Sequence, residues 1–219
     1  ASIGAIWASA SPDFGAQGLV DRFGQIEPKI LLMADGYFYN GKTIDCLAKA
    51  REARLSIKGI EKVIVVPFTT DTPDLSGIDK AVLLADFIAP FAAKAPEFKR
   101  VAFNHPLFIM FSSGTTGIPK CIVHGHGGTL LQHLKEHQLQ CDVKDGDRVF
   151  YFTTCGWMMW NWQISALASG ATLLLFDGSP FSPDPHVLWA YAARHKATLF
   201  GTGAKYIDAL KANDIAPKD

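Results

Sequence analysis

Neither sign of charge is in surplus in this sequence: Lys and Arg number 21, Asp and Glu number 21, and the formal net charge is zero. Binding nucleic acid through phosphate neutralisation needs an excess of Lys and Arg, so no nucleic-acid partner is expected. None of Cys46, Cys121, Cys141 and Cys155 forms a CxxC pair, and no Cys/His spacing matches a zinc finger. The thiols therefore read as reduced, which suits a cytoplasmic protein. No apolar run approaches the roughly 18 residues of a spanning helix, so a soluble chain with no membrane partner is expected. Residues 1–10 are apolar and contain Ala8-Ser9-Ala10, which imitates a signal-peptidase site. No basic region precedes them, so they are read as the tail of a helix instead. An initiator Met is missing as well, which suggests a piece of a larger chain. Internal repeats and low-complexity tracts are also lacking.

What is present is the material of a core. Of 219 residues, 48% are hydrophobic and 19% charged, which suits one large domain or a domain and a half. Short apolar runs alternate with longer stretches of helical spacing. Strands are expected at 29–34, 61–68, 107–111, 121–124, 149–153, 171–176 and 198–201. Helices are expected at 44–54 (Leu47, Ala50 and Leu55 on one face), 79–91, 129–137, 160–168, 185–195 and 204–211. The run at 61–68, EKVIVVPF, has the continuous apolar character of a strand buried on both faces. This alternation implies an α/β fold, a layered and mostly parallel sheet with flanking helices. The Pro-bearing, charged stretch 95–106 is the expected boundary between a first α/β subdomain, 1–98, and a second, 99–219. Asn40-Gly41-Lys42 reads as a β-turn, and Asp145-Gly146-Asp147 as a tight turn before a strand.

The most informative tract is FSSGTTGIPK, residues 111–120, between two expected strands. Gly114 and Gly117 free the backbone so that its N–H groups can approach an anion. Ser112, Ser113, Thr115 and Thr116 add hydroxyl donors, and Lys120 adds a cation. Such a set suits a triphosphate tail. It is not a Walker A loop, which ends in Gly-Lys-Ser/Thr and runs straight into a helix; here Pro119 precedes Lys120 and a strand follows. A solvated turn is the competing reading for a bare SGTTG. The string at Ser113, Gly114, Thr115, Thr116, Gly117, Pro119 and Lys120, however, matches a known signature at seven positions. At roughly 5–7% usage per residue type, chance supplies that on the order of 10^-8 per start point.

This string resembles the phosphate-binding signature of the adenylate-forming superfamily, which includes the acyl-coenzyme A synthetases. The resemblance implies ATP binding, with magnesium, and formation of an acyl-adenylate. It implies that Thr115, Thr116, Gly117 and Lys120 contact phosphate, with Lys120 the catalytic cation. The substrate carboxylate is itself the nucleophile, so no Ser-His-Asp triad is needed; positioning and charge stabilisation carry the chemistry. Residues 5–15, 21–41, 105–128 and 152–160 are similar to the acetoacetate-activating branch of these ligases. That implies acetoacetate, ATP and coenzyme A as reactants. It also brings Lys42 toward the coenzyme A nucleotide, with a solvated turn lysine as the competing reading. His124 and His126 are expected on one strand face; without a third ligand no metal site is assigned. His126 with Gly127 and Gly128 is a candidate wall for the acyl pocket. Trp157, following Gly156 at a strand end, is a second candidate, with core packing as the alternative for it and for Trp160 and Trp162.

The superfamily motifs that contact adenine, ribose and magnesium, and its C-terminal catalytic Lys, are not found after Gly203. Both termini are therefore expected to fall inside a larger catalytic domain, and the 219-residue chain by itself is expected to be inactive. Two other functions stay open at this point. One is a ligase for another short carboxylate, such as acetate or propionate. The other is a non-catalytic nucleotide- or anion-binding module. Oligomeric state cannot be read from these residues.

Overall fold

A computed structural model describes residues 1–112 and 117–216. In chain order the elements begin with β1 (Trp7–Ala8), α1 (Ala16–Phe23), β2 (Ile30–Ala34), β3 (Gly36–Tyr39) and β4 (Lys42–Asp45). Next come α2 (Leu47–Ser56), β5 (Lys62–Val66), β6 (Ala81–Leu83), α3 (Leu84–Ile88), β7 (Pro106–Phe111) and β8 (Cys121–Gly125). Then follow α4 (His126–Lys135), which continues as a π-helical turn (Glu136–Gln140), and β9 (Arg148–Tyr151). The remainder is α5 (Met158–Ser165) with a 3-10 turn (Ala166–Ser169), β10 (Thr172–Leu174), α6 (Val187–Arg194), β11 (Leu199–Gly201) and α7 (Ala204–Ala212). The α/β alternation expected from the sequence is present, with parallel sheets and flanking helices. No helix among the described residues is long and apolar enough to cross a membrane.

The chain forms two compact units. The first comprises Ala1–Ala5, Pro12–Lys99 and Phe111–Ile122. Its parallel sheet runs β2–β5–β6, in register from Ile30 opposite Lys62 to Ala34 opposite Val66. Central β5 buries Val63, Ile64 and Val65, as its unbroken apolar run requires. The Asn40-Gly41 turn joins β3 to β4 with φ of 50° and 73°, the two left-handed residues of a tight hairpin, and pairs Tyr39 with Lys42. Helix α2 starts at Leu47, not at 44. The Asp45 carboxylate takes the N–H groups of Leu47 (2.8 Å) and Ala48 (3.3 Å), two of the donors that a helix start leaves free. Its buried face is Leu47, Ala50 and Ala53, while Leu55 is 89% exposed and does not belong to it. Asp35 is 2% exposed and accepts from the N–H of Phe68 (2.7 Å), Thr69 (3.0 Å) and Thr70 (3.0 Å) and from the Thr69 hydroxyl (2.8 Å). Burial pushes its carboxyl up, but these donors outweigh burial and hold it below its ordinary value.

Two expectations fail here for the same reason. The supposed helix 79–91 begins as β6, because Ala81–Leu83 pairs with Val63–Val65 and gains a sheet ladder, which leaves only Leu84–Ile88 helical. Strand pairing has overridden helical spacing. The supposed helical tail at 1–10 is a turn with Gly4 at φ 81°, followed by strand β1. Helix α1 is an element the sequence reading did not find; it buries Ala16 and Phe23 and packs against α2.

The second unit comprises Ile6–Ser11, Arg100–Met110 and Val123–Asp219. Here β1 lies parallel to β7, with Trp7 opposite Phe108 and Ala8 opposite Ile109, and β8 lies on the other side of β7. A second parallel sheet runs β10–β9–β11. Val149 and Phe150 of central β9 are fully buried. Phe150 joins Leu174, Leu188, Tyr206 and Leu210 in one core cluster, and Val149 joins Val143, Ala166 and Ala171 in another. The Asp145-Gly146-Asp147 turn forms as expected, with Gly146 at φ 83° and the Asp147 carboxylate accepting from the Lys144 N–H at 2.6 Å.

Candidate functional site

Strand β7 ends at Phe111 and β8 begins at Cys121, so both ends of the Gly/Ser/Thr tract are held by sheet. Two hydrogen bonds join those ends. The Ser112 N–H donates to the Lys120 carbonyl (3.0 Å), and the Lys120 N–H donates to the Ser112 hydroxyl oxygen (2.9 Å). A third contact comes from α1 and its following turn, where the Gln25 amide donates to the carbonyl of buried Pro119 at 2.7 Å. Gly117 has φ of 120°, open to glycine and rare for other residues. The Lys120 side chain is exposed, and its ammonium has no partner among the described residues. Ser113, Gly114, Thr115 and Thr116 lie outside the described residues. What the structure fixes is the frame of the tract: its two closing residues, its last glycine and its cation.

Lys42 stands at the start of β4 beside the hairpin turn, exposed and without a partner among the described residues. It belongs, like the tract, to the first unit.

The HGHGG segment behaves differently from the expectation. His124 is on β8, but His126 is the first residue of α4, so the two do not share a strand face. The His126 N–H donates to the His105 carbonyl (2.9 Å), and the imidazole rings of these residues are 5.6 Å apart. The His126 Nε2 is buried without a hydrogen-bond partner among the described residues. Gly127 offers no free space: a Cβ there would overlap the Phe103 ring, whose backbone carbonyl already accepts the Gly127 N–H at 2.9 Å. Around Gly128 the space is open.

The second unit contains a cleft of about 470 Å³ at the carboxyl ends of β9 and β11. Tyr151 through Thr154, which end β9 and follow it, form one wall. Trp157, Met158 and Met159 at the start of α5 continue it. Pro180 and Phe181 come from the loop after β10, and Thr202, Gly203, Lys205 and Tyr206 from the β11–α7 junction. Ligands of open α/β sheets collect at such strand ends. Trp157, 58% exposed, is in this wall, whereas Trp162 is buried against His137 (ring centroids 4.2 Å). Gly156 is needed there because the Ala10–Ser11 backbone lies against it, leaving no room for a Cβ. The hydroxyls of Thr154 and Thr202 are buried and lack a hydrogen-bond partner among the described residues, a condition that costs about 1–3 kcal/mol each unless water or a ligand meets it. The sequence reading missed Met158, Met159, Phe181, Thr202, Lys205 and Tyr206. The rule that sites follow strand ends, applied to β11 as it was to β9, reaches three of them.

Elsewhere in this unit α4 and α5 share a buried polar network. His133 Nδ1 is 2.8 Å from the Ser165 hydroxyl, and the Trp162 indole N–H donates to the Glu136 carboxylate at 2.9 Å. Burial lowers the pKa of both His133 and His137, and proximity to a second imidazole adds to the effect at each. Among the described residues no group of three or more His, Cys, Asp or Glu is placed to hold a metal ion.

Comparison with known proteins places this geometry among relatives. The family model described as "AMP-binding enzyme" matches residues 1–218. An acetoacetyl-coenzyme A synthetase from Rhizobium meliloti (strain 1021) is 57% identical over 218 residues, 99% of this chain and 33% of the relative. The acetoacetyl-CoA synthetase of Mus musculus is 50% identical over 222 residues, again 99% of this chain and 33% of the relative. Among solved structures, acetoacetyl-CoA synthetase from Streptomyces lividans superposes with a TM-score of 0.88 at 42% identity, covering 98% of this chain and 32% of that one. The chain thus spans about a third of the length of the curated relatives it matches.

Proposed function

This chain belongs to the family of AMP-binding enzymes, and on that premise we propose that it is part of an acid–thiol ligase that joins acetoacetate to coenzyme A. A carboxylate oxygen of acetoacetate attacks the α-phosphorus of ATP and displaces pyrophosphate, leaving acetoacetyl-adenylate. The coenzyme A thiolate then attacks the acyl carbon, and AMP departs with its phosphate oxygen. The observation that carries the reading is the framed tract at 111–120, in a chain whose near-complete matches are acetoacetyl-coenzyme A synthetases.

The residues fit the two nucleotide substrates in kind. Lys120, an exposed cation with no partner among the described residues, stands where the ends of the tract meet and is free to pair with phosphate oxygens. We assign it, with Ser113, Gly114, Thr115, Thr116 and Gly117, to the β- and γ-phosphates of ATP. Magnesium accompanying ATP would be held largely by phosphate oxygens and water and would supply neutralisation of the triphosphate charge. Lys42 is assigned to a phosphate of coenzyme A. The strand-end cleft is assigned to the acyl group, with Trp157 in its wall; His126 and Gly127, the other candidates for that wall, are not among its lining residues, and Gly127 serves instead to admit the Phe103 ring. Four free thiols accord with a cytoplasmic setting.

The test is acetoacetate-dependent pyrophosphate release by the intact protein, with AMP and acetoacetyl-coenzyme A formed in equal amounts. Pyrophosphate release that responds to acetate or propionate but not to acetoacetate would move the assignment to another short carboxylate. Nucleotide binding with no release for any carboxylate would leave a binding module.

A further inference from the structure

The cleft wall is largely apolar, built of aromatic rings, Met158, Met159 and Pro180, and this makes its polar groups informative. The Tyr206 hydroxyl is already used, donating to the Pro185 carbonyl at 3.1 Å, and the Thr153 hydroxyl donates to the Thr154 carbonyl at 3.3 Å. Thr154 and Thr202 keep hydroxyls without a partner among the described residues. Among the described residues Lys205 is the one charged member of the lining, and its ammonium has neither an ion pair nor a hydrogen bond there.

Helix stability does not account for Lys205. It is the second residue of α7, and the first turn of a helix is the end at which a cation is unfavourable; Lys211, in the last turn of the same helix, sits at the end that suits one. The sequence therefore carries an exposed cation at an electrostatically poor position, on the rim of a largely apolar cleft, with no pairing group among the described residues.

A purely apolar pocket is poor at telling a 3-oxo acid from the alkanoate of the same length, since a carbonyl and a methylene fill similar space. A donor that meets the oxo oxygen changes this, because the alkanoate leaves that donor unmatched. The reacting carboxylate is consumed at the phosphorus, so an oxygen elsewhere on the acyl chain is the one that persists for recognition through both half-reactions. Resting on the ligase reading given above, we propose that Lys205 is a specificity-determining residue, its ammonium donating to the oxo oxygen of a 3-oxo carboxylate in the strand-end cleft, so that the enzyme prefers 3-oxo acids over plain alkanoates.

The experiment compares Lys205→Met and Lys205→Arg with the unaltered intact protein, using carboxylate-dependent exchange of pyrophosphate into ATP without coenzyme A. For Lys205→Met, kcat/KM for acetoacetate should fall roughly 10- to 100-fold, the worth of a hydrogen bond to a charged donor, while butyrate stays within about 2-fold. Lys205→Arg should retain most of the preference. Equal losses on both carboxylates would overturn the proposal, as would no loss on either. So would an unchanged exchange reaction paired with a raised KM for coenzyme A in the full reaction, which would give Lys205 to the thiol substrate. An unaltered protein that exchanges pyrophosphate with no carboxylate would overturn the ligase reading itself, and the proposal with it.

Discussion

Lys120 and Asp35 mark the two extremes of what a single residue reveals in sequence. Lys120 is legible because its chemistry is local: glycines, hydroxyls and a cation lie within ten positions. Replacing it by Ala in the intact protein should lower acetoacetate-dependent pyrophosphate release by about 10²–10³-fold, the usual effect of losing one positioned charge partner of the reacting group. An unchanged rate would refute its assignment. Asp35 is invisible in sequence because its partners, Phe68, Thr69 and Thr70, come 33 to 35 positions later. Asp35→Ala leaves those N–H groups without an acceptor and should cost about 2–3 kcal/mol, read as a lower urea midpoint with unchanged slope. Since its folded pKa is depressed, the stability it gives is complete above its unfolded value and declines as pH falls through the folded one. Asp35→Asn should accordingly flatten the acid end of the stability profile. The cleft residues Met158, Met159 and Phe181 escaped notice because nothing local separates a pocket aromatic or thioether from a core one.

At the scale of elements, strands with an apolar run of their own were legible, edge strands β2, β8, β10 and β11 among them, while the shortest edge strands, β1 and β6, were not. β5 and β9 have apolar runs that only a two-sided burial explains, and both are at the middle of their sheets. β6 failed because an edge strand of three residues carries the same Ala and Leu content as a helix start, and the decision is made by its neighbour β5. The turn of the β3–β4 hairpin was legible in Asn40-Gly41, whose backbone demand is written in the residues themselves, but its strands were not: β4 takes residues 44 and 45, where a helix was expected to begin. The helix pair α4 and α5 yields a pH prediction. Burial disfavours the imidazolium of His133 and His137 and lowers both pKa values in the fold, while in the unfolded chain they titrate near 6.5. The stability they allow is complete above that value and is lost as pH falls below it toward their depressed folded pKa values. Thermal unfolding followed by circular dichroism should show Tm falling between pH 7.5 and 5.5, and the His133→Gln/His137→Phe pair should weaken that fall. The same element offers a packing test. Gly127→Ala forces a methyl group into the Phe103 ring and should destabilise by about 1–3 kcal/mol, with Gly128→Ala much milder.

For the molecule as a whole, the chain leaves and rejoins each unit several times, after Ala5, Ser11, Lys99, Met110 and Ile122. A division at 98/99 places β1 apart from β7, its parallel partner, and removes the Ala10–Ser11 backbone from Gly156. A chain of residues 99–219 is therefore expected to unfold with a broadened, less cooperative transition, and supplying a peptide of residues 6–11 should sharpen it. A sharp transition without the peptide would show that the second subdomain needs nothing from the N-terminal segment. The sequence conveyed the alternation of strands and helices but not this threading, because a two-residue strand such as β1 has no periodicity to detect. The bonds between Ser112 and Lys120 have one more consequence. A chain segment anchored at both ends has already lost most of the freedom that ring closure removes, and what remains grows only as the logarithm of its length. A Gly inserted between Gly114 and Gly117 should therefore leave the unfolding temperature almost untouched while weakening ATP, which would separate the tract's contribution to folding from its contribution to catalysis.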